Sequence, residues 1–377
     1  RRYLKPPGLY GSMQANMKIS LEDLPYIATG AAFLGTGGGG DPYIGRMLAT
    51  SAIEEFGSPE LVSVESLADD ANVYTIAMLG APTVLVEKGA CGDDIDLALA
   101  QLQEYTGRRA DAVIPIEIGG VNSLVPVMAA ARTGLPLVDA DGMGRAFPEI
   151  QMVTYNVHGV SCTPLVVTDE HLNSLVVNTG SAKRAEDLVR VCAVEMGCSV
   201  MLSSYLMTGR QVKDSAVTGT MTLALEIGRA IAAGRRAGDP VGALLSALRA
   251  TPYYSHCKVI FDGKVSDLQR DTRGGFSVGL CDLVALDGSG AAMQLVFQNE
   301  HLVARQDGAV RAIVPDLICV VDRETAEPIP VEGLKYGQRV KVLGVSAPPI
   351  LRTPAALQVF GPAAFGLDDP FRPIESL

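Results

Sequence analysis

Tryptophan is absent from this chain, aromatic residues make up 5% of it, and only four histidines (158, 171, 256, 301) occur. No G-K-[ST] follows its glycine-rich run, no G-x-S-x-G elbow occurs, and none of the seven cysteines forms a C-x-x-C pair. Each absence removes support from a class of function. Without C-x-x-C, H-x-x-H or H-x-H spacing there is no ready-made metal motif. The missing elbow argues against a serine hydrolase, and the missing P-loop lysine against a mononucleotide loop. The scattered cysteines read as buried, reduced thiols, which suits a cytoplasmic protein. No apolar run reaches the roughly 18 residues of a membrane span, and the most hydrophobic stretch, 216–233, is broken by Thr, Glu and Arg. Positive charge is also scarce. Thirty-one Lys and Arg face 42 Asp and Glu, a net charge of -11. With a pI near 4.9 and no basic patch, nucleic acid is not an expected partner.

What is present is a chain of 377 residues, 48% hydrophobic and 19% charged, enough for a sizeable core and more usually two domains. Residues 1–16 lack an apolar h-region and read as a flexible leader. From 17 to 250 the texture is α/β. A helical stripe over 20–34, with Ser20 or Asp23 as cap, runs into "GTGGGG" (35–40), and Asp41-Pro42 then opens a second helix. Apolar runs at 61–64, 73–79, 111–119 and 135–141 alternate with helical patterns at 93–106 and 122–133. That order predicts a largely parallel sheet in a layered α/β/α arrangement. The runs 151–159, 163–169 and 174–180 read as closely spaced strands. Helices are expected over 183–197 and 214–234, with a strand between them, and a third after the Asp239-Pro240 cap. Beyond 251, short strands broken by DG, GG and DGSG turns predict a smaller, mostly antiparallel, barrel-like β domain to about 345. The Pro-rich segment 346–377 is expected to pack back on the α/β domain.

Three clusters could carry chemistry. The glycine run matches G-x-G-x-x-G at Gly35, Gly37 and Gly40, with Glu65 placed as the acidic partner. The strand a dinucleotide fold needs ahead of the glycines is replaced by a helix, however, and Asp41 puts negative charge where a pyrophosphate would sit. Three readings stay open: phosphate binding, a tight structural connection, or backbone approach of Gly37, Gly38, Gly39 and Gly40 to a small ligand. The second cluster is "IEIGGVNS", where Glu117 ends a strand before Gly119, Gly120 and Asn122, at the sheet edge where ligands of parallel α/β sheets bind. The third is "DADGMGRAFPE". Asp139 and Asp141 share strand parity, and Arg145 and Glu149 follow. Neighbouring carboxylates split in pKa into an acid and a base. The same D-x-D suits a divalent ion with His158 or His171 as further ligands, or a turn that caps a helix. A Cys162–His158 nucleophile is a weaker candidate.

"LGTGGGGDPYIG", "GAPTVLVEKG", "IEIGGVNS", "DADGMGRAFPEIQM", "GTMTLALEIGRAI", "FDGKVSD…TRGGFSVG" and "PDLICVVD…YGQRV…FGPAAFG" occur in this order. Over residues 20–370 the chain resembles the S-methyl thiohydantoin desulfurase family, whose members occur beside hydantoinase and oxoprolinase-type proteins. The resemblance implies an α/β domain with a smaller β domain and a hydrolysis that releases methanethiol from a small cyclic substrate. Chemistry and position then suggest Asp139 or Asp141 as general base, Glu117 as its partner or the acid, the glycine loop and Asn122 as ring donors, and Arg145 as a carboxylate anchor. Asp141→Asn is expected to abolish turnover. A metal is left open and no nucleotide cofactor is expected. Alternatives are a non-catalytic subunit of a hydantoinase-like enzyme, a homo-oligomer of either kind, and a nucleotide-binding enzyme.

Overall fold

A computed structural model describes residues 17–80, 84, 92–273 and 276–377; the leader 1–16 lies outside them. Strands β1 (Met17–Lys18), β2 (Glu60–Val62), β3 (Asn72–Gly80), β4 (Ala112–Pro115), β5 (Leu137–Val138), β7 (Leu165–Thr168), β8 (Ser174–Val177) and β9 (Ser199–Thr208) form one eight-stranded sheet in the order β1-β2-β5-β4-β3-β9-β7-β8. β2, β5, β4 and β3 run parallel, as the alternation of strands and helices predicts. The β9, β7, β8 half is antiparallel, so the sheet is mixed. β6 (Ala140–Asp141) and β10 (Val217–Thr218) make a separate short ladder.

Helices cover the sheet where their caps predict. α1 (Leu24–Leu34) precedes the glycine loop, and α2 (Pro42–Phe56) follows it with Asp41 Oδ1 accepting from the Tyr43 N–H at 2.9 Å. α3 (Asp93–Thr106) and α4 (Val125–Thr133) connect the parallel strands. Besides the expected largely parallel sheet, which is mixed, two segment expectations fail. The 151–159 run is no strand but a loop carrying the short helix α5 (Thr154–Val157): the Thr154 N–H and hydroxyl both donate to Gly142 O at 2.8 Å, which turns the chain inward. The expected helix over 214–234 is two elements. After α6 (Ala182–Glu195), α7 (Gly209–Ser215) ends, β10 intervenes, and Gly219 at φ 77° starts α8 (Thr220–Ala237). Glycine tolerates that left-handed turn without a Cβ clash. α9 (Pro240–Arg249) is capped by Asp239, which accepts from the Gly242 N–H at 2.9 Å. α1 and α8 lie backbone to backbone, because a Cβ on Gly30 would overlap Ala224 O and one on Gly228 would overlap Tyr26 O.

β11 (Cys257–Arg273), β12 (Phe276–Ala285), β13 (Ala292–Gln298), β14 (Glu300–Gln306), β15 (Ala309–Ile313), β16 (Leu317–Asp322) and β17 (Arg339–Val345) form a second, wholly antiparallel sheet, ordered β15-β14-β13-β12-β11-β17-β16. It curls until β14 and β15 return beside β16, a half-barrel around its own core of Val265, Leu283, Leu295 and Val342. This is the α/β fold with a smaller barrel-like β part. The last helix, α10 (Pro354–Phe360), brings Phe360 against Phe147, with ring centroids 5.2 Å apart.

Candidate functional site

The carboxyl end of β4 leads into Ile116-Glu117-Ile118, and the chain then turns through Gly119-Gly120 toward α4. Glu117 is buried at this edge and held on both sides: Asn122 Nδ2 donates to Oε1 and the Phe147 N–H to Oε2, each at 2.8 Å. Asn122 is itself fixed, since its Oδ1 accepts from the Met78 N–H of β3 at 2.7 Å. Burial pushes the Glu117 carboxyl up to about 7, and the two hydrogen bonds only partly offset it.

Glu117 opens on a cavity of about 110 Å³, lined also by Gly38, Gly39, Gly40, Asn122, Glu149, Arg190 and Glu300. The volume is well below the roughly 300–1,000 Å³ of drug-sized sites, so it suits a small molecule. The glycines form a wall of backbone. A Cβ on Gly38 would overlap Glu300 Oε1, one on Gly39 would fall 2.6 Å from Gly119 Cα, and the Val121 N–H donates to Gly39 O at 2.7 Å. Close packing on both faces is the physical reason for so bare a loop.

Glu300 is the residue that local pattern missed. A tight turn at Asn299, at φ 60°, separates β13 from β14. Its backbone N–H donates to Ser277 O at 2.7 Å, and its Oδ1 accepts from the Ser277 N–H at 2.8 Å. So pinned, the turn brings Glu300 from the β part into the wall of a cavity whose opposite side is the α/β sheet. Glu300 is buried, and its Oε2 has no partner among the described residues. Burial first and the neighbouring Glu117 charge second hold its carboxyl well above the usual carboxylate range. The only sequence signal was "NEH" interrupting an apolar strand run.

The remaining expected residues stand behind this wall. Gly37 packs on the buried His301 ring, and Gly119 and Gly120 back onto Gly39 and Gly40. Arg145 is fully buried; it donates to Pro315 O (3.0 Å), Asp316 O (2.9 Å) and Thr36 Oγ1 (2.9 Å) and lies over the Phe147 ring. Burial lowers its pKa to about 10, and it holds the loop rather than lining the cavity. Asp139 and Asp141 share parity but serve different partners. Asp139 accepts from the Met221 and Thr222 N–H groups at 2.9 and 3.0 Å, capping α8. Asp141 Oδ2 accepts from the Met143 and Gly144 N–H groups, both at 2.7 Å, within its own turn, and burial pushes this acid also up to about 7. Neither lines the cavity.

The cation on the cavity wall is Arg190, on α6. Its Nε donates to Glu186 Oε1 at 2.6 Å and its Nη2 to Pro148 O at 3.1 Å, and its guanidinium lies 4.3 Å from the centroid of the Phe276 ring of β12. Glu149 is tied to Lys183 at 2.9 Å. His158 and His171 are exposed, and among the described residues no three His, Cys, Asp or Glu side chains gather as a metal-binding set. Burial raises the Cys162 thiol to about 11, far from a reactive thiolate. No described helix is long and apolar enough to cross a membrane.

The arrangement can therefore do acid–base chemistry on a small ligand. Two carboxylic acids from distant parts of the chain meet one cavity. Burial raises both, Glu117 to about 7 and Glu300 well above its ordinary range.

A crystal structure of a protein from Chromobacterium violaceum has a similar fold: 25% sequence identity and a TM-score of 0.79, over 95% of this chain and 100% of that one. Among curated proteins none matches. The model described as "S-Me-THD-like, N-terminal domain" matches residues 22–179, and the one described as "S-Me-THD-like, C-terminal domain" matches residues 180–374. With both halves matched, the chain belongs to the S-Me-THD-like family.

Proposed function

We propose that the chain is a hydrolase acting on S-methyl thiohydantoins or close cyclic analogues. Water adds to the ring carbon between the two nitrogens, the C–S bond breaks, and methanethiol and the hydantoin leave. The observation that carries this reading is the pair Glu117 and Glu300 at one small cavity, together with membership of the family. Attack by water needs a base whose pKa lies near the working pH, and an acid that stays protonated beside it. Glu117, at about 7, suits the base. Glu300, held well above its ordinary value, suits the acid that protonates the ring nitrogen or the departing sulfur. Asn122 and the Phe147 N–H orient Glu117, and the backbone of Gly38 to Gly40 lies along the cavity where a planar ring would rest. Asp139, Asp141 and Arg145 become supports of this site rather than its reacting groups.

The test is direct. Purified protein is incubated with S-methyl thiohydantoins of varied ring substituent, and thiol release is followed, with and without added divalent metal. Release that Glu117→Gln and Glu300→Gln each suppress supports the reading. No release from any substrate under either condition ends it.

A further inference from the structure

Arg145 is the only Lys or Arg that is buried among the described residues, and none of them pairs a carboxylate with it. Its acceptors are all neutral: Ala146 O at 3.3 Å, Pro315 O, Asp316 O and the Thr36 hydroxyl. A guanidinium keeps its charge inside a protein, and a buried charge left unmatched is costly. Two less deeply placed arginines are matched directly. Arg352 Nη2 meets Asp316 Oδ1 and Arg190 Nη2 meets Glu186 Oε1, each at 2.5 Å. The charge that answers Arg145 must therefore lie beyond hydrogen-bond reach.

The titratable groups that face it narrow quickly. The Asp316 carboxylate is taken up by Arg352 and by the Ala347 and Ile374 N–H groups. Burial pushes the Cys319 thiol far up, so it is neutral, and its Sγ donates to Phe33 O at 3.2 Å. Burial, then the Arg145 charge, brings the His301 imidazole down to about 3, so it is neutral too. Glu117 and Glu300 remain, and one intermediary ties Arg145 to each. Its guanidinium lies 4.6 Å from the centroid of the Phe147 ring, and the Phe147 N–H holds Glu117 Oε2. Its Nη2 donates to Thr36, whose carbonyl accepts from the His301 N–H beside Glu300. Thr36 sits at φ 52°, where a β-branched residue is an outlier. Burial first, and at Glu300 the Glu117 charge next, push the two carboxyls up; the Arg145 charge opposes this at both. Glu332 adds to the upward push on Glu300, and Asp141, raised by its own burial, faces Glu117.

We propose that Arg145 is a positioning residue for the reaction: it holds one negative charge on the Glu117–Glu300 pair, so that the two acids share a single proton. This rests on the two-acid reading above. The charge belongs to the pair rather than to either member. As water adds across the C=N bond of the ring, its proton goes to Glu117 and the proton of Glu300 goes to the ring nitrogen. As the C–S bond then breaks, Glu117 protonates the sulfur and Glu300 takes the hydroxyl proton, leaving the new carbonyl. The pair carries one negative charge before, between and after these steps. A fixed, buried cation therefore serves all of them without moving.

Infrared spectra of the full chain against pH, with no substrate present, read the protonated carboxyl band, and Glu117→Gln and Glu300→Gln assign it. At pH 8.5 the wild type is expected to keep one protonated acid of the pair; two or none overturns the proposal. Arg145→Met should raise the midpoint at which the pair loses its first proton by at least about one pH unit, tenfold in the equilibrium. The rising limb of the thiol-release profile should move with it, whereas a merely structural role would lower the rate alike at every pH. Arg145→Lys should keep the midpoint within ~0.5 unit, and it decides the matter where the methionine variant does not fold by circular dichroism. A midpoint unmoved in folded Arg145→Met, or displaced by a full unit in Arg145→Lys, overturns the proposal. The infrared shift without thiol release from any substrate supports this inference and ends the thiohydantoin reading.

Discussion

Replacing Glu117 by Gln should change sign in its apparent benefit with pH. Glu117 is a buried acid raised from its ordinary 4.5 to about 7. Between those values the folded chain keeps a proton that the unfolded chain has released. Stability then falls as pH rises through the window, by about 1.4 kcal/mol per pH unit. Over the whole shift that amounts to about 3 kcal/mol, complete once the pH exceeds the folded value. Glutamine is a near-isostere of the protonated acid, does not titrate, and escapes this loss. At pH 5 the variant should match the wild type to within ~1 kcal/mol, because a carboxamide satisfies one of the donors from Asn122 and Phe147 and disturbs the other. At pH 8.5 it should be more stable than the wild type by ~2 kcal/mol. Urea unfolding at both pH values measures the difference; acids away from Glu117 cancel between the two proteins, while Glu300 and Asp141, which its charge pushes up, add to the difference in the same direction. The same variant should lose about 10²–10⁴-fold in thiol release as the general base is removed. Equal stability differences at the two pH values would refute the raised pKa, and wild-type turnover would remove Glu117 from the mechanism.

Asp141→Asn separates the two placements of the chemistry. Both N–H donors of its turn reach one oxygen, Oδ2, which an amide carbonyl can replace, so turnover should stay within a few-fold of wild type; a hundredfold loss would return Asp141 to the reaction. Gly38→Ala places a methyl group on Glu300 Oε1, and should lower the rate at least tenfold while costing ~1–3 kcal/mol of stability; a variant with full activity would mean that Glu300 need not hold its position. Asp139→Ala strips the cap from α8 and should lower the unfolding free energy by ~1–2 kcal/mol, seen as a reduced melting temperature with KM little changed.

Where a structural decision is local, the sequence carries it in legible form. Asp41-Pro42 and Asp239-Pro240 announce helix starts because a side-chain acceptor and a missing N–H act within one turn. The spacing of apolar runs gives the parallel half of the sheet for the same reason. The errors fall where distant residues decide. "QMVTYNVHG" has strand propensity, yet Thr154 is captured by Gly142 O and the run coils. For Asp139 and Asp141 parity leaves two readings open, because a carboxylate that caps a helix or closes a turn leaves the same trace in sequence as a reacting pair. Glu300 was illegible for a stronger reason: its place depends on the Asn299 turn, its pinning to Ser277, and the curl of a sheet that begins at Cys257.

The glycine loop gains its meaning from that long-range geometry. Its Thr36 O accepts from the His301 N–H and its Gly37 O from the Val331 N–H, both at 2.8 Å, while Gly39 O accepts from Val121 N–H at 2.7 Å. One short segment is thus hydrogen-bonded to the β part at its start and to the turn after Glu117 at its end. Side chains would hold the two apart, since both Gly38 and Gly39 lie where a Cβ has no room. The separation of Glu117 from Glu300 is therefore set by bare backbone packed closely on both sides. A loop resembling a phosphate cradle by letter is, by contact, the spacer that keeps two acids across one cavity.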